Sequence, residues 1–294
     1  MAASVALLTT CAMAWAQNSL EVVDGPLRRD GFVGFLQAET VKESQIPPWP
    51  GLRGKVIAAD HSTGRYVLIL TPGSGRGEIA FPRVSQSLEM LVLSGRMQFG
   101  SRPMERLDFV YVPPATDIPN LTADGEASLL VFIDPPSSDP EVVSLQQSRG
   151  IQWVSYADDG WEPAQVALSA GVTAKLEIFH LKRDPFTTAR TWLVSLSGSM
   201  KIPWEVHSMI EEGFLVQGQY RLAECLPSGT VVGEYHEGGY FRRPAGVPHS
   251  GPESGPLSDV IWLQRAPVAL DVTFHDGCVD GRATSAASVD PTMP

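Results

Sequence analysis

The sequence predicts an all-β protein built as two tandem copies of one antiparallel barrel or sandwich domain, and three observations predict it. Short apolar runs at 67–70, 129–133, 192–196 and 260–263 are separated by Gly, Pro and Asp turns, the pattern of strands joined by tight loops. No long amphipathic helix interrupts them, and 24 prolines with 27 glycines punctuate the chain, as antiparallel sheets require. Finally, the chain repeats itself. RYVLILTPGS at 65–74 matches RTWLVSLSGS at 190–199, LEMLVLSGRMQF at 88–99 matches EEGFLVQGQYRL at 211–222 with Gly95 facing Gly218, and VYVPPATDIP at 110–119 answers FRRPAGVPHS at 241–250. Three matches in the same order mark a duplicated domain.

The elements follow in chain order. Residues 1–16 have no charged side chain, an apolar run from Ala3 to Trp15 and an Ala-Trp-Ala triplet at 14–16. This is the pattern of a signal peptide, so the mature chain is expected to begin near Gln17 and to be periplasmic or secreted. Residues 17–140 form the first copy. The Pro- and Ser-rich stretch at 134–150 reads as a connector carrying a short helix. Residues 150–280 form the second copy, and 281–294 is expected to be a flexible tail. No other segment is long and apolar enough to span a bilayer. With Cys11 removed, Cys225 and Cys278 remain, and export gives them the conditions to pair.

A net charge of −11 and a pI near 5.0 argue against a nucleic-acid partner, because phosphate binding needs concentrated cations and the 22 Lys and Arg residues are scattered. A small or uncharged ligand suits the charge better.

The chemistry concentrates in WEVHSMIEEGFLVQGQYRL at 204–222. Glu205 and His207 stand two apart, so on a strand they point to one face. Glu211 follows beyond a bend, and Glu212, one further, points away from it and is read as solvated or paired with an arginine. Downstream, Gly238, Pro244, Gly246 and His249 close a second motif. Arg242 and Arg243 form a candidate anion clamp or a solvated strand end. Tyr220, Phe214 and Trp204 are candidates for the cavity wall or for plain core, and His236 is a weaker candidate for the wall. His61, His180 and His275 have no motif around them. NLT at 120–122 has the form of a glycosylation acceptor.

These spacings resemble the two motifs of the cupin superfamily, and the chain looks like a bicupin similar to ChrR-like cupins and bacterial two-cupin proteins. His207 matches the second histidine of the first motif and Glu211 its glutamate, six residues before Gly218. Gly238, Pro244, Gly246 and His249 match the second motif. Glu205 stands where the first histidine would be, and Glu253 where the final asparagine would be. The resemblance implies tandem jelly-roll barrels and a metal shell of His207, Glu211 and His249 with Glu205 as fourth ligand. It implies one divalent ion per chain, Fe favoured over Mn, Ni or Zn, since two imidazoles and a carboxylate with open positions suit non-haem iron. In the first copy the corresponding positions are Val84, Leu88 and Ile118, which leaves a metal-free barrel serving packing or homodimer formation. The leading functional expectation is a metal-dependent oxygenase acting on a small organic substrate. The alternatives are a non-catalytic binding or sensing module, and an isomerase or lyase with Glu205 as base.

Overall fold

The computed structural model describes residues 21–287 apart from 23–24, 30, 47–48, 72–75, 82–84, 158–159, 165–174, 199–201 and 280. The expected signal peptide and Val84 therefore lie outside the described residues.

Four sheets stack face to face. The first layer orders Arg102–Met104, Met97–Phe99, Leu121–Asp124 and Arg76–Ile79. The second orders Gln152–Val154, Phe109–Val112, Ser87–Ser94, Ser128–Asp134, Arg65–Leu70, Trp49–Asp60 and Glu43–Ile46. The third orders Glu162–Pro163, Lys175–Arg183, Arg190–Ser197, Val260–Ala266, Glu211–Gln217, Gly239–Arg243, Phe32–Gln37 and Leu27–Arg29. The fourth orders Glu21–Val22, Gly229–Tyr235, Tyr220–Leu226, His249–Ser250, Trp204–Val206, Thr273–Val279 and Arg282–Ala287, with Gly255–Pro256 alongside Tyr220–Leu226. Each copy is thus a jelly roll of two facing sheets, as the all-β expectation of tandem jelly-roll domains has it.

Alternation along the middle strands shows why four layers form. Leu68 and Leu70 join a core with Phe99 and Leu121 of the first layer, whereas their neighbours Val67 and Ile69 pack against Leu193, Phe214 and Leu263 of the third. Both faces are buried, so these strands read as continuous apolar runs instead of alternating ones. The third core lies between layers three and four, where Trp192, Leu215, Phe241 and Trp262 meet Tyr220, Leu222 and Tyr235.

The second and third layers also meet through charge. Arg265 donates to Glu89 (Nε–Oε2, 2.9 Å), Glu212 (Nη1–Oε2, 2.9 Å) and Asp134. Arg65 reaches Asp134 at 3.1 Å and also Glu212, while Lys182 holds Glu89 at 2.8 Å. Burial alone would raise the Glu89 carboxyl, but Arg265 and Lys182 together hold it well below the usual carboxylate range. Glu212 is therefore buried between two arginines and accepts from the Tyr240 hydroxyl. Of its two expected states, solvated or paired, the structure selects pairing.

Strand pairing also corrects three sequence expectations. The strand Phe32–Gln37 pairs with Gly239–Arg243, and Glu21–Val22 with Val231 and Val232, so the first described strands, up to Gln37, complete the second copy rather than the first. Reciprocally, Gln152–Val154 pairs with Phe109–Val112 of the first copy. The helix expected in the connector is present at Pro140–Ser148, but the tail begins with a strand, Arg282–Ala287, paired to Thr273–Val279. The repeat register shifts by one in its first match. Leu130 pairs with Leu91 and Ile69, Leu263 pairs with Phe214 and Leu193, and Leu91 corresponds to Phe214. Ile69, not Leu68, therefore corresponds to Leu193, because a one-residue slip would turn every side chain to the other face. The Gly95–Gly218 match stands. Both have φ near +80° (+75° and +89°), and a Cβ would come within 2.4 Å of Glu126 O and 2.3 Å of Asp259 O respectively, so only glycine turns the chain there.

Candidate metal centre

The strand Trp204–Val206 brings Glu205 opposite His249 in antiparallel register, and His207 follows at the strand's end. Facing them across the sandwich, Glu211 opens the third-layer strand Glu211–Gln217. The turn between is fixed by Gly246, φ +80°, whose amide donates to His207 O at 2.8 Å. Next to His249, Ser250 adopts φ +68°, a strained conformation for a residue with a Cβ. In that conformation its hydroxyl donates to Glu205 Oε1 at 2.7 Å.

Donor atoms of Glu205, His207 and His249 all lie within 4.8 Å of one another. Glu211 Oε2 lies 3.6 Å from His207 Nε2 and 3.5 Å from His249 Nε2. The structure thus brings together all four residues expected to form the shell, with Glu211 differing from the rest because Arg243 also donates to its Oε2. The imidazoles are oriented from behind. His207 Nδ1 donates to Asp271 O at 2.5 Å and His249 Nδ1 to Val247 O at 3.2 Å, since a carbonyl only accepts. Both Nε2 atoms then face the centre. His207 Nε2 is buried with no hydrogen-bond partner among the described residues, which suits a lone pair reserved for a metal. Burial would raise the Glu205 carboxyl, but His249, His207 and the Ser250 hydroxyl bring it down to about 2.

Behind Glu211 stands an ion pair that no motif announced. Arg243, 2 % exposed, holds Glu224 in a fork, Nε–Oε2 at 3.0 Å and Nη2–Oε1 at 2.6 Å, and its guanidinium lies over the Phe241 ring at 4.4 Å. Glu224 is fully buried on the fourth-layer strand. The sequence signal was a lone carboxylate between Ala223 and Cys225 in an apolar run. Arg243 is accordingly neither a solvated strand end nor an anion clamp, and Arg242, pointing the other way, donates to Gly31 O at 3.2 Å.

A cavity of about 150 Å³ opens on the centre, walled by Leu176, Val194, Leu196, Ile202, Leu222, Phe241, Trp262 and Phe274, with Tyr220 among them. Phe214 packs between the copies and Trp204 with Cys225, so both are core. His236 is exposed and does not line the cavity. Cys225 and Cys278 are joined by a disulfide behind the same fourth-layer strands. In the first copy, Leu88 is apolar core and Ile118 is partly buried against the same core.

No family model and no curated protein matches this chain. Solved structures do. A candidate dioxygenase from Nostoc punctiforme superposes with a TM-score of 0.56 at 15 % identity, covering 88 % of this chain and 87 % of that one. Oxalate decarboxylase of Bacillus subtilis gives 0.51 at 12 %, covering 84 % and 78 %, and the 7S globulin of Momordica charantia 0.53 at 13 %, covering 82 % and 86 %. At these identities the likeness is one of architecture, and it identifies the fold of this chain as two tandem jelly-roll domains of the cupin kind.

Proposed function

We propose that the second copy holds one divalent metal ion through Glu205, His207 and His249, with Glu211 at its side, and that the protein is a metal-dependent oxygenase of a small organic substrate. The observation that carries this reading is the convergence of three donors around a buried, unpartnered His207 Nε2. Charge supports it as well. Arg243 pairs with Glu211 and Glu224, and Glu205 lies beside His249; three carboxylates and one arginine leave an excess of two negative charges that a divalent ion cancels and that burial otherwise penalises.

A bound ion of the iron type would supply redox chemistry and a template for a chelating substrate. The chain's own residues do the rest. Asp271 O and Val247 O fix the imidazole tautomers, Ser250 holds Glu205 in place, and Arg243 keeps Glu211 from turning away. The apolar walls give an apolar substrate a surface to pack against beside the centre.

We also propose export to an oxidising compartment, which the Cys225–Cys278 disulfide supports. Among the described residues no helix is long and apolar enough to cross a membrane.

Metal analysis of protein purified without chelator, followed by oxygen-electrode screening of diketones and phenols, tests the functional reading. Near-stoichiometric iron with oxygen uptake is the expected result. No metal, and none taken up on titration, overturns the metal centre. Full metal with no oxygen uptake overturns the oxygenase, and full metal with no turnover of any class leaves a module that binds a ligand.

A further inference from the structure

The cavity over the centre has apolar walls and one cation. That cation, Arg243, is already engaged: Glu224 takes its Nε and Nη2, and Glu211 its Nη1. The remaining polar groups on the wall are Glu205, Tyr220, His249, Ser250 and Gln264, none of which brings a permanent positive charge. With a divalent ion in place the carboxylates and Arg243 leave the centre without net charge. An incoming anion seated on the apolar wall would therefore give up hydration and find no unengaged cation among the wall's side chains.

We infer that this pocket selects uncharged, largely apolar molecules of single-ring size and rejects carboxylates of the same shape. A cavity of about 150 Å³ with aliphatic and aromatic walls is of the size that holds a benzene ring. The inference rests on the metal reading for the neutral balance. The order of preference holds without metal too, because the pocket then carries an excess of negative charge.

Benzyl alcohol and benzoate make the test, since they share a ring and differ in charge at neutral pH. Each is titrated into metal-loaded and metal-stripped protein, with binding read by calorimetry or ligand-observed NMR. The alcohol is expected to bind roughly tenfold or more tighter in both forms. Glu224→Gln removes one negative charge while leaving Arg243 on Glu211, and Gln264→Lys adds a cation to the wall without touching the ion network. Either variant should move the ratio toward benzoate by roughly tenfold. The selectivity is overturned if benzoate binds the parent protein as well as the alcohol does, if neither probe binds at millimolar concentration, or if both folded variants leave the ratio unchanged. Protein that takes up no metal yet keeps the order refutes the metal centre alone, whereas metal-loaded protein that prefers benzoate refutes the selectivity alone.

Discussion

The inner faces of the two copies share a backbone and little else. In the first copy Leu88 pairs with Val112 across neighbouring strands, and in the second the corresponding pair is Glu211 and Arg243. Where the carboxylate is replaced by leucine, the arginine is replaced as well, and Ile118 stands for His249. Yet one residue along the same strands, Glu89 and Glu212 both persist, turned toward the seam between the copies and held there by Arg265. The difference is therefore confined to one face. The first copy forms its jelly roll without the ionic set, and both partners are absent there together, as expected where a buried charge without its partner is more costly than none.

Putting half of that set into the dry copy is the severest way to break the comparison. Leu88→Glu should destabilise by about 5 kcal/mol or more, enough to unfold the first copy, with Val112→Arg recovering part of the loss. Urea denaturation of the single and double variants measures this, and an additive pair would contradict the partnership. At the seam, Arg265→Met leaves three carboxylates, Glu89, Asp134 and Glu212, to the two cations Lys182 and Arg65 and should cost about 3–5 kcal/mol by the same assay.

Metal titration sharpens the difference between faces. His207→Ala and His249→Ala should weaken binding about 100-fold or more, and Glu205→Gln about tenfold. Glu212→Gln should leave metal affinity unchanged, because Glu212 points to the seam. Loss of metal in Glu212→Gln with retention in Glu205→Gln would place the carboxylates one register away. The smallest effect concerns acid. Because the Glu205 carboxyl is depressed from 4.5 to about 2, its contribution to the stability of metal-stripped protein is fully present above pH 4.5. That contribution fades as pH falls toward 2, as protons bind the unfolded chain first. Glu205→Gln should lack this part of the acid profile, and a profile identical to the parent's would refute the shift.

What could be read from the sequence was whatever local spacing determines. Glu205 and His207 two apart, Glu211 ahead of Gly218 and the Pro244–His249 turn are local, and the structure brings those side chains to one place. Partnership across the fold is different. Phe32–Gln37 is an apolar strand whichever sheet it joins, and nothing in its six letters says that its partner lies some 200 residues on. Glu224 and Arg243 meet across the sandwich from strands that no motif links. The repeat register failed by one at Arg65 and Arg190 because matching letters outweighed the alternation of faces, which two-sided burial hides. Even for Glu212, correctly turned from Glu211, the sequence leaves water and an arginine as alternatives, because a single domain has an outside there whereas a tandem has a seam.

The exchanged N-terminal strand also bears on the order of synthesis. Phe35 packs in the core of the second copy, its amide bonded to the Tyr235 hydroxyl 200 residues later at 2.9 Å, and the bare Cα of Gly233 makes room for its ring. At ribosomal speeds that partner emerges on the order of ten seconds or more after Phe35 does. Through that interval Phe35 lacks the core it packs in, and the second jelly roll closes only when a strand made some 200 residues earlier returns to it. Leu36 of the same strand packs with Ile57 and Val67 of the first copy, so one strand ties the closing of the second jelly roll to the first.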